Sequence, residues 1–124
     1  MVVRTTLSLF LILLIALFAV DCSKKFTDRE LVDLAQKENS RGNPEKAVEY
    51  YERLLREFPD SEHAQMSLFM IGYIQSNEIR DFNRAKIVYQ EFLEKYPSSE
   101  LAASVKFELD NMGKNPEELI KWIF

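Results

Sequence analysis

Cys22 is the only cysteine in the 124-residue chain, and its thiol is the side chain best placed to be modified. It follows the apolar residues 7–20, a run of 14 residues that Arg4 precedes. A basic residue, a short apolar stretch and a cleavage region of small residues form a signal peptide. The run is too short to cross a bilayer, which needs about 20 apolar residues. The pattern predicts that residues 1–21 direct export.

The residues from Phe18 to Cys22 resemble the bacterial lipoprotein signal, in which the cysteine thiol accepts diacylglycerol and the freed amine accepts a third acyl chain. That family has Gly, Ala or Ser before the cysteine, and Asp21 departs from the pattern. Ordinary signal cleavage, an uncleaved amino-terminal anchor and a spare linker thiol are the alternatives. If Cys22 is lipidated, the anchoring is stable, since each buried methylene contributes about 0.8 kcal/mol.

The lipoprotein resemblance implies an order of segments and a location. Residues 1–21 are a signal peptide, residues 22–26 a lipidated tether, and residues 27–124 the folded domain. Ser23 follows the cysteine where an inner-membrane retention signal has Asp, so the resemblance favours the outer membrane. We therefore expect a membrane-anchored protein of the bacterial envelope that faces the periplasm.

The remaining 103 residues suffice for one small domain with a modest core. Loss of residues 1–21 removes Arg4 and Asp21, which leaves 15 basic and 19 acidic side chains and a net charge of −4. Proteins that bind nucleic acid carry a basic stripe, and the basic residues of this chain do not cluster. Nucleic acid is not an expected partner.

Groups suited to catalysis or metal binding are few. The one histidine, His63, is predicted in the first turn of a helix and is typical of a partly packed surface residue. Glu117 and Glu118 are adjacent and cannot share a helix face. A single cysteine makes no thiolate metal site, and the three glycines are too far apart to form a phosphate loop. The sequence predicts a protein that is not an enzyme, with no cofactor and no metal.

The chain repeats itself with a period of 38 residues. Residues 47–69 laid over residues 85–107 give eight identities in 23 positions, where ordinary composition gives about one or two. A period of this length predicts a solenoid of stacked helical units. The matched residues are Ala47 and Ala85, Tyr51 and Tyr89, Leu55 and Leu93, Pro59 and Pro97, Ser61 and Ser99, Glu62 and Glu100, Ala64 and Ala102, and Phe69 and Phe107.

Cap residues and prolines divide each unit into a pair of helices. Asn43 followed by Pro44 indicates a helix start, and Pro59 indicates a helix end because the residue before a proline avoids the α region. Six helices and no strand are predicted. Their starts are Thr27 or Asp28, Asn43, Ser61, Asp81 or Asn83, Ser99 and Asn115.

The spacing within each unit resembles the tetratricopeptide repeat, which has a small residue at the helix crossing, an aromatic residue four positions later and a proline twelve positions later. The residues that carry it are Ala47, Tyr51 and Pro59, then Ala85, Tyr89 and Pro97, with Gly72 on the facing helix. The period exceeds the usual 34, and we place the extra residues near 75–81. The resemblance implies an all-α fold, a short solenoid of about six antiparallel helices in two and a half repeats.

Within that superfamily, residues 57–61 and 91–99 resemble the BamD-type lipoproteins, outer-membrane subunits of the machinery that inserts β-barrel proteins. The chain is also similar to the Tol-Pal-associated tetratricopeptide proteins of the periplasm. It has fewer repeats than the first group and lacks the coiled coil of the second. The resemblance implies an adaptor that binds proteins, with a structural envelope subunit as the alternative.

The first helix of each pair lines a concave groove in tetratricopeptide arrays. Methionine and aromatic side chains suit an adaptable groove for a peptide. Phe69 and Met70 could instead be core between repeats, and Tyr73 and Gln36 are the stronger candidates for contact with a partner. The predicted groove residues are Val32, Gln36, Asn39, Met66, Phe69, Met70 and Tyr73.

The carboxyl end is strongly apolar and lacks the polar capping helix of most solenoids. Its side chains either fold back on the helix that begins at Ser99 or bind a partner or a second copy. Self-association is therefore a second hypothesis. The residues are Leu119, Ile120, Trp122, Ile123 and Phe124.

Overall fold

The computed structural model describes residues 24–115 of the chain. Within that range it has no strand, which confirms the all-α prediction. The signal segment, Cys22, the predicted sixth helix and the five apolar residues of the carboxyl end lie outside the described residues. The helices are α1 (Asp28–Ser40), α2 (Pro44–Glu57), α3 (Ala64–Ile74), α4 (Phe82–Lys95) and α5 (Ala102–Asn111), and a π-helical segment, Gln75–Ile79, continues α3.

Each helix packs against its neighbour in the chain, as the stacking of repeated helix pairs requires. The first pair is α1 with α2, the second is α3 with α4, and α5 begins a third. One hydrophobic core includes residues of all five helices. A smaller cluster lies at the outer end of the first pair, where α1 begins, α2 ends and α3 begins. The largest fully buried side chains are Tyr89, Phe92, Leu31, Leu54, Ile71, Ile74 and Val105.

Cap residues fix two of the helix starts. Thr27 forms a capping box at α1: its hydroxyl accepts from the backbone N–H of Glu30, and the Glu30 carboxylate accepts from the Thr27 N–H at 2.8 Å. The Asp81 carboxylate accepts from the N–H of Arg84 at the start of α4. These observations choose Thr27 over Asp28 and Asp81 over Asn83 as the caps.

Asn43 does not cap α2 with its side chain, contrary to the prediction. Its amide nitrogen donates to the Glu38 carboxylate on α1 at 2.8 Å. This bond to an ionised carboxylate is strong and orients the Asn43 side chain toward α1, so its amide oxygen does not accept from the backbone N–H groups of α2. Pro44 still occupies the first helical position.

Helices α3 and α5 begin three residues later than the serines that were predicted to open them. Ser61 accepts from the N–H of His63 at 3.0 Å, and Ser99 accepts from the N–H of Leu101 at 3.1 Å. Such a bond from a residue two positions ahead forms a serine turn that competes with helical geometry. Each serine therefore makes a turn that leads into the helix.

The extra residues of the 38-residue period lie where the sequence indicated, after α3. There the chain forms the π-helical segment, which ends at Arg80 in the left-handed conformation, φ 66°. A π segment accommodates inserted residues without breaking the helix, because its hydrogen bonds skip one more residue. The first helix of the second pair is longer by this segment.

The repeat-signature residues occupy the positions where helices cross. Ala47, Ala85 and Tyr89 are fully buried, Tyr51 is nearly so, and Pro59 and Pro97 follow the ends of α2 and α4. Gly72 of α3 lies against the ring of Tyr89. Small residues at such crossings let two helix backbones approach closely.

Candidate functional site

A pocket of about 260 Å³ opens between α1 and α3, on the side that the first helices of the pairs present. Four of the seven predicted groove residues line it: Val32, Gln36, Met66 and Met70. Gln36 and Met66 are exposed, while Val32 and Met70 are half-buried, so the pocket has an apolar floor and an accessible rim. The structure thus brings together the predicted residues that belong to the first repeat boundary.

Phe69 and Tyr73 lie outside this pocket. The Phe69 ring is 6.3 Å from that of Tyr89 and 6.4 Å from that of Phe92, which places it in the core between α3 and α4. Tyr73 stacks on Phe69 at 6.3 Å and stays partly exposed. Phe69 therefore serves the packing of the second pair, and Tyr73 extends the open face beyond the pocket.

Asn39 links two helix ends and does not line the pocket. Its amide nitrogen donates to the Glu78 carboxylate of the π-helical segment at 3.1 Å. Its side-chain oxygen is buried and has no hydrogen-bond partner among residues 24–115. The residue stabilises the contact between α1 and the end of the second pair's first helix.

Three residues in the pocket were not predicted as groove residues: Tyr51, His63 and Ser67. Tyr51 enters from α2 with its ring buried, and burial raises the pKa of its phenol. Ser67 is 1% exposed, and its hydroxyl has no partner among the described residues. Ser67 has no distinguishing signal in the sequence, since its repeat counterpart is the apolar Val105.

Ser61 and Asp28 lie near His63, which lines the end of the pocket, but the three residues do not form a catalytic triad. The Ser61 hydroxyl donates to the Asp28 carboxylate at 2.6 Å, and this bond is the main cause that lowers the pKa of Asp28. The His63 ring lies 3.7 Å from the Glu62 carboxylate, not against the serine hydroxyl. A triad needs the imidazole to accept the serine proton. Residues 24–115 also hold no group of three or more side chains suited to bind a metal.

A second, larger cavity of about 540 Å³ lies at the other end of the described chain. It is bounded by the π-helical segment, the start of α4 and the end of α5, and its apolar members are Phe82, Phe107 and Met112. Phe107 is 62% exposed, although its repeat counterpart Phe69 is covered by α4. This end is the open end of the array among the described residues.

The comparison with protein families gives two matches, both to a tetratricopeptide repeat. One covers residues 28–70, which include α1 and α2, and the other covers residues 66–99, which include α4 and most of α3. Together they span 72 of the 124 residues. The chain is a tetratricopeptide repeat protein. No curated protein and no solved structure matches it.

Tetratricopeptide repeats are protein–protein interaction modules and typically adaptors without catalysis. In this tetratricopeptide repeat protein the accessible pocket lies between the first helices of two successive pairs, the face predicted for the groove. No helix within residues 24–115 has the length and apolar character needed to cross a membrane.

Proposed function

We propose that this tetratricopeptide repeat protein is a membrane-anchored adaptor of the bacterial envelope, which binds a segment of another protein in the pocket between α1 and α3. The observation that carries the proposal is the pocket itself, with Val32, Met66 and Met70 around a space of about 260 Å³. It is smaller than the 300–1,000 Å³ of most small-molecule sites. Its size suits one or two side chains of a bound peptide.

The lining selects an apolar occupant. It contains two methionines and no Lys, Arg, Asp or Glu side chain. Methionine adapts its shape to different partners because it is unbranched and polarisable. A charged side chain would lose its hydration there and, away from His63 at one end, would gain no ion pair, which is costly. Gln36 at the rim can donate to and accept from a peptide backbone.

The location rests on the sequence alone. The cysteine after the apolar run supports anchoring through Cys22, and Ser23 favours the outer membrane. The resemblance of residues 57–61 and 91–99 to BamD-type lipoproteins supports a role in the assembly of outer-membrane β-barrel proteins. In this role the protein is not an enzyme and needs no cofactor.

Photo-cross-linking in intact cells tests the proposal. A photoreactive residue at Gln36 lies on the pocket, whereas the same residue at Gln90, exposed on α4, lies away from it. The cross-linked protein is purified from solubilised membranes and its neighbours are identified by mass spectrometry. Barrel-insertion subunits captured at Gln36 and not at Gln90 support the proposal. Capture at Gln90 alone, or at neither position, contradicts it.

The second candidate is a structural subunit of the Tol-Pal type that packs between larger proteins without using the pocket. The observation that favours it is the exposed Phe107 at the open end. Replacement of Gln36, which lines the pocket, separates the two functions, because a packing subunit that does not use the pocket tolerates the change. Sedimentation of the protein with and without residues 119–124 tests the related self-association hypothesis, which a monomer unchanged by the deletion would remove.

A further inference from the structure

The first described residues are packed against the domain, within the segment predicted to be a tether. A guanidinium nitrogen of Arg53 donates to the backbone carbonyl of Lys24 at 3.1 Å. The same guanidinium lies 5.0 Å from the ring centroid of Phe26. The Glu57 carboxylate accepts from Arg53 Nε at 2.6 Å and holds the arginine in place.

Phe26 also joins the small core at the outer end of the first pair. Its ring packs with the cluster of Leu31, Leu54 and Ala64, and the Lys24 ammonium lies 5.0 Å from the ring centroid. Apolar burial and two cation–π contacts therefore act on one side chain. The chain is fixed to the domain from Lys24 onward.

Only two peptide steps separate Cys22 from Lys24. Consecutive Cα atoms are about 3.8 Å apart, so the Cα atoms of these residues lie within roughly 8 Å of each other. An acyl chain on Cys22 enters the bilayer, so Lys24 lies at its surface. The proposed anchor thus leaves almost no slack between the lipid and the domain.

One edge of the solenoid carries this attachment. The Ser61 hydroxyl reaches Asp28 at 2.6 Å, and the Gln65 amide donates to Ser99 at 2.6 Å, so the starts of α1, α3 and α5 lie together. We name this the anchored edge, residues 24–28, 57–63 and 96–101. The far edge, residues 40–43, 79–81 and 112–114, lies one helix length away, about 20 Å for a helix the length of α1.

We infer that the domain stands on the lipid surface on its anchored edge, with Arg53 fixing that orientation, so that the pocket opens close to the headgroups. The inference rests on the proposed anchoring at Cys22. His63, at the pocket's end, belongs to the anchored edge. A partner in this pocket is therefore engaged beside the membrane.

Charge does not set this orientation. The anchored edge exposes two lysines, Lys24 and Lys25, and four carboxylates, those of Glu57, Asp60, Glu62 and Glu100. Attraction of the two lysines to anionic headgroups is outweighed by repulsion of the four carboxylates. An anionic surface therefore does not favour this edge, and the orientation is expected on neutral phosphatidylcholine, where these charges have little effect.

Fluorescence quenching tests the inference on the full chain, purified from bacterial membranes and reconstituted in phosphatidylcholine vesicles. Fluorophores are attached to Asp60→Cys on the anchored edge or Arg41→Cys on the far edge, and the quencher is a headgroup-labelled lipid. The expected result is several-fold stronger quenching at position 60 than at 41. Equal quenching at both positions overturns the inference.

Arg53→Ala and Arg53→Lys test the role of the arginine. The alanine loses the carbonyl bond and the ring contact, and the lysine keeps the charge but lacks the planar fork that makes several contacts at once. Both are expected to reduce the quenching ratio toward one. Arg56→Ala, exposed on the same helix, is the matched control and keeps the ratio. A ratio unchanged by both Arg53 variants, with melting curves that show folded protein, overturns the role of Arg53.

The unlabelled parent chain separates failure of the anchor from failure of the orientation. Because Cys22 is the only cysteine, a lipidated chain does not react with a thiol reagent. A parent chain that reacts with the reagent and does not float with vesicles overturns the proposed anchoring and the inference with it. A parent chain that floats and does not react, combined with equal quenching at both edges, overturns the orientation alone.

Discussion

Gly72 of α3 and Tyr89 of α4 are in direct contact, and a Cβ on the glycine would lie 2.6 Å from Tyr89 Cδ1. The tyrosine ring is fully buried and cannot move away without disturbing the core. This contact sets how closely the second helix pair packs. The contact fixes the position of α3 against α4. Because the pocket lies between α1 and α3, its shape depends on this contact.

We expect Gly72→Ala to destabilise the domain by about 1–3 kcal/mol, as overpacking of a filled core does. Alanine also has a higher helix propensity than glycine, which stabilises the variant. The measured loss in the free energy of unfolding is therefore smaller than the cost of the clash itself. Urea unfolding gives the free energy. A second variant, Gly72→Ala with Tyr89→Leu, relieves the clash, and the pair is expected to be strongly non-additive. Additive effects of the two changes would contradict this account.

The Tyr89 hydroxyl is buried and has no hydrogen-bond partner among residues 24–115. Burial raises the pKa of this phenol well above its usual value. Tyr89→Phe removes an unsatisfied group and keeps the ring, so the expected stability is equal to that of the parent or higher by up to about 1 kcal/mol. Thermal unfolding measures it. A loss of more than about 1 kcal/mol would show that the hydroxyl has a partner.

Ser61 and Ser99 make equivalent turns but have different partners, and this difference predicts different responses to pH. Ser61 donates to Asp28, and Ser99 accepts from the neutral Gln65. Each Ser→Ala change is expected to cost about 1 kcal/mol at neutral pH, the usual effect of lost side-chain hydrogen bonds. Only Ser61→Ala is expected to change how stability depends on pH.

The sign follows from the pKa of Asp28, which the Ser61 hydrogen bond lowers from 3.8. A carboxyl with a lowered pKa stabilises the fold above its unfolded-state pKa, and that contribution is lost as the pH falls through the lowered value. NMR titration is expected to show the Asp28 pKa higher in Ser61→Ala than in the parent. In Ser99→Ala, the matched control, it should stay the same. An Asp28 pKa that does not rise in Ser61→Ala would contradict the assigned cause.

Much of the fold could be predicted because the residues that repeat in the sequence are the ones buried where the helices cross. Ala47 and Tyr51 recur as Ala85 and Tyr89, and all four lie in the core, where the helical period of apolar residues is strongest. Pro59 and Pro97 end α2 and α4 for a local reason. Such features depend on neighbours in the sequence.

Other features depend on partners distant in the sequence and could not be predicted. Asn43 turns away from its own helix because Glu38 is within reach on α1. Phe26 packs into the domain because Arg53 and Leu54 of α2 lie beside it. The π-helical segment was not predicted either, since inserted residues can also form a loop. Only the position of the insertion followed from the period.

The candidate site was predicted in part. Helical phase placed Val32, Gln36, Met66 and Met70 on the open side, and these four line one pocket. Helical phase alone could not distinguish them from Phe69, which packs in the core against the rings of Tyr89 and Phe92 on α4. Ser67 and Tyr51 also line the pocket, but their helical spacing is that of buried core residues, so the sequence pattern did not mark them as groove residues.

The most direct measurement of the central claim is the affinity of the full chain for the protein captured at Gln36, compared between Met66→Glu and Ile87→Glu. Both residues are exposed and apolar, but Met66 lines the pocket and Ile87 lies on α4, outside it. We predict that Met66→Glu weakens binding at least about tenfold, which is 1.4 kcal/mol, with an unchanged melting temperature. We predict that Ile87→Glu leaves the affinity unchanged. Equal affinities in the two variants, both folded, would contradict the claim that the pocket is the binding site.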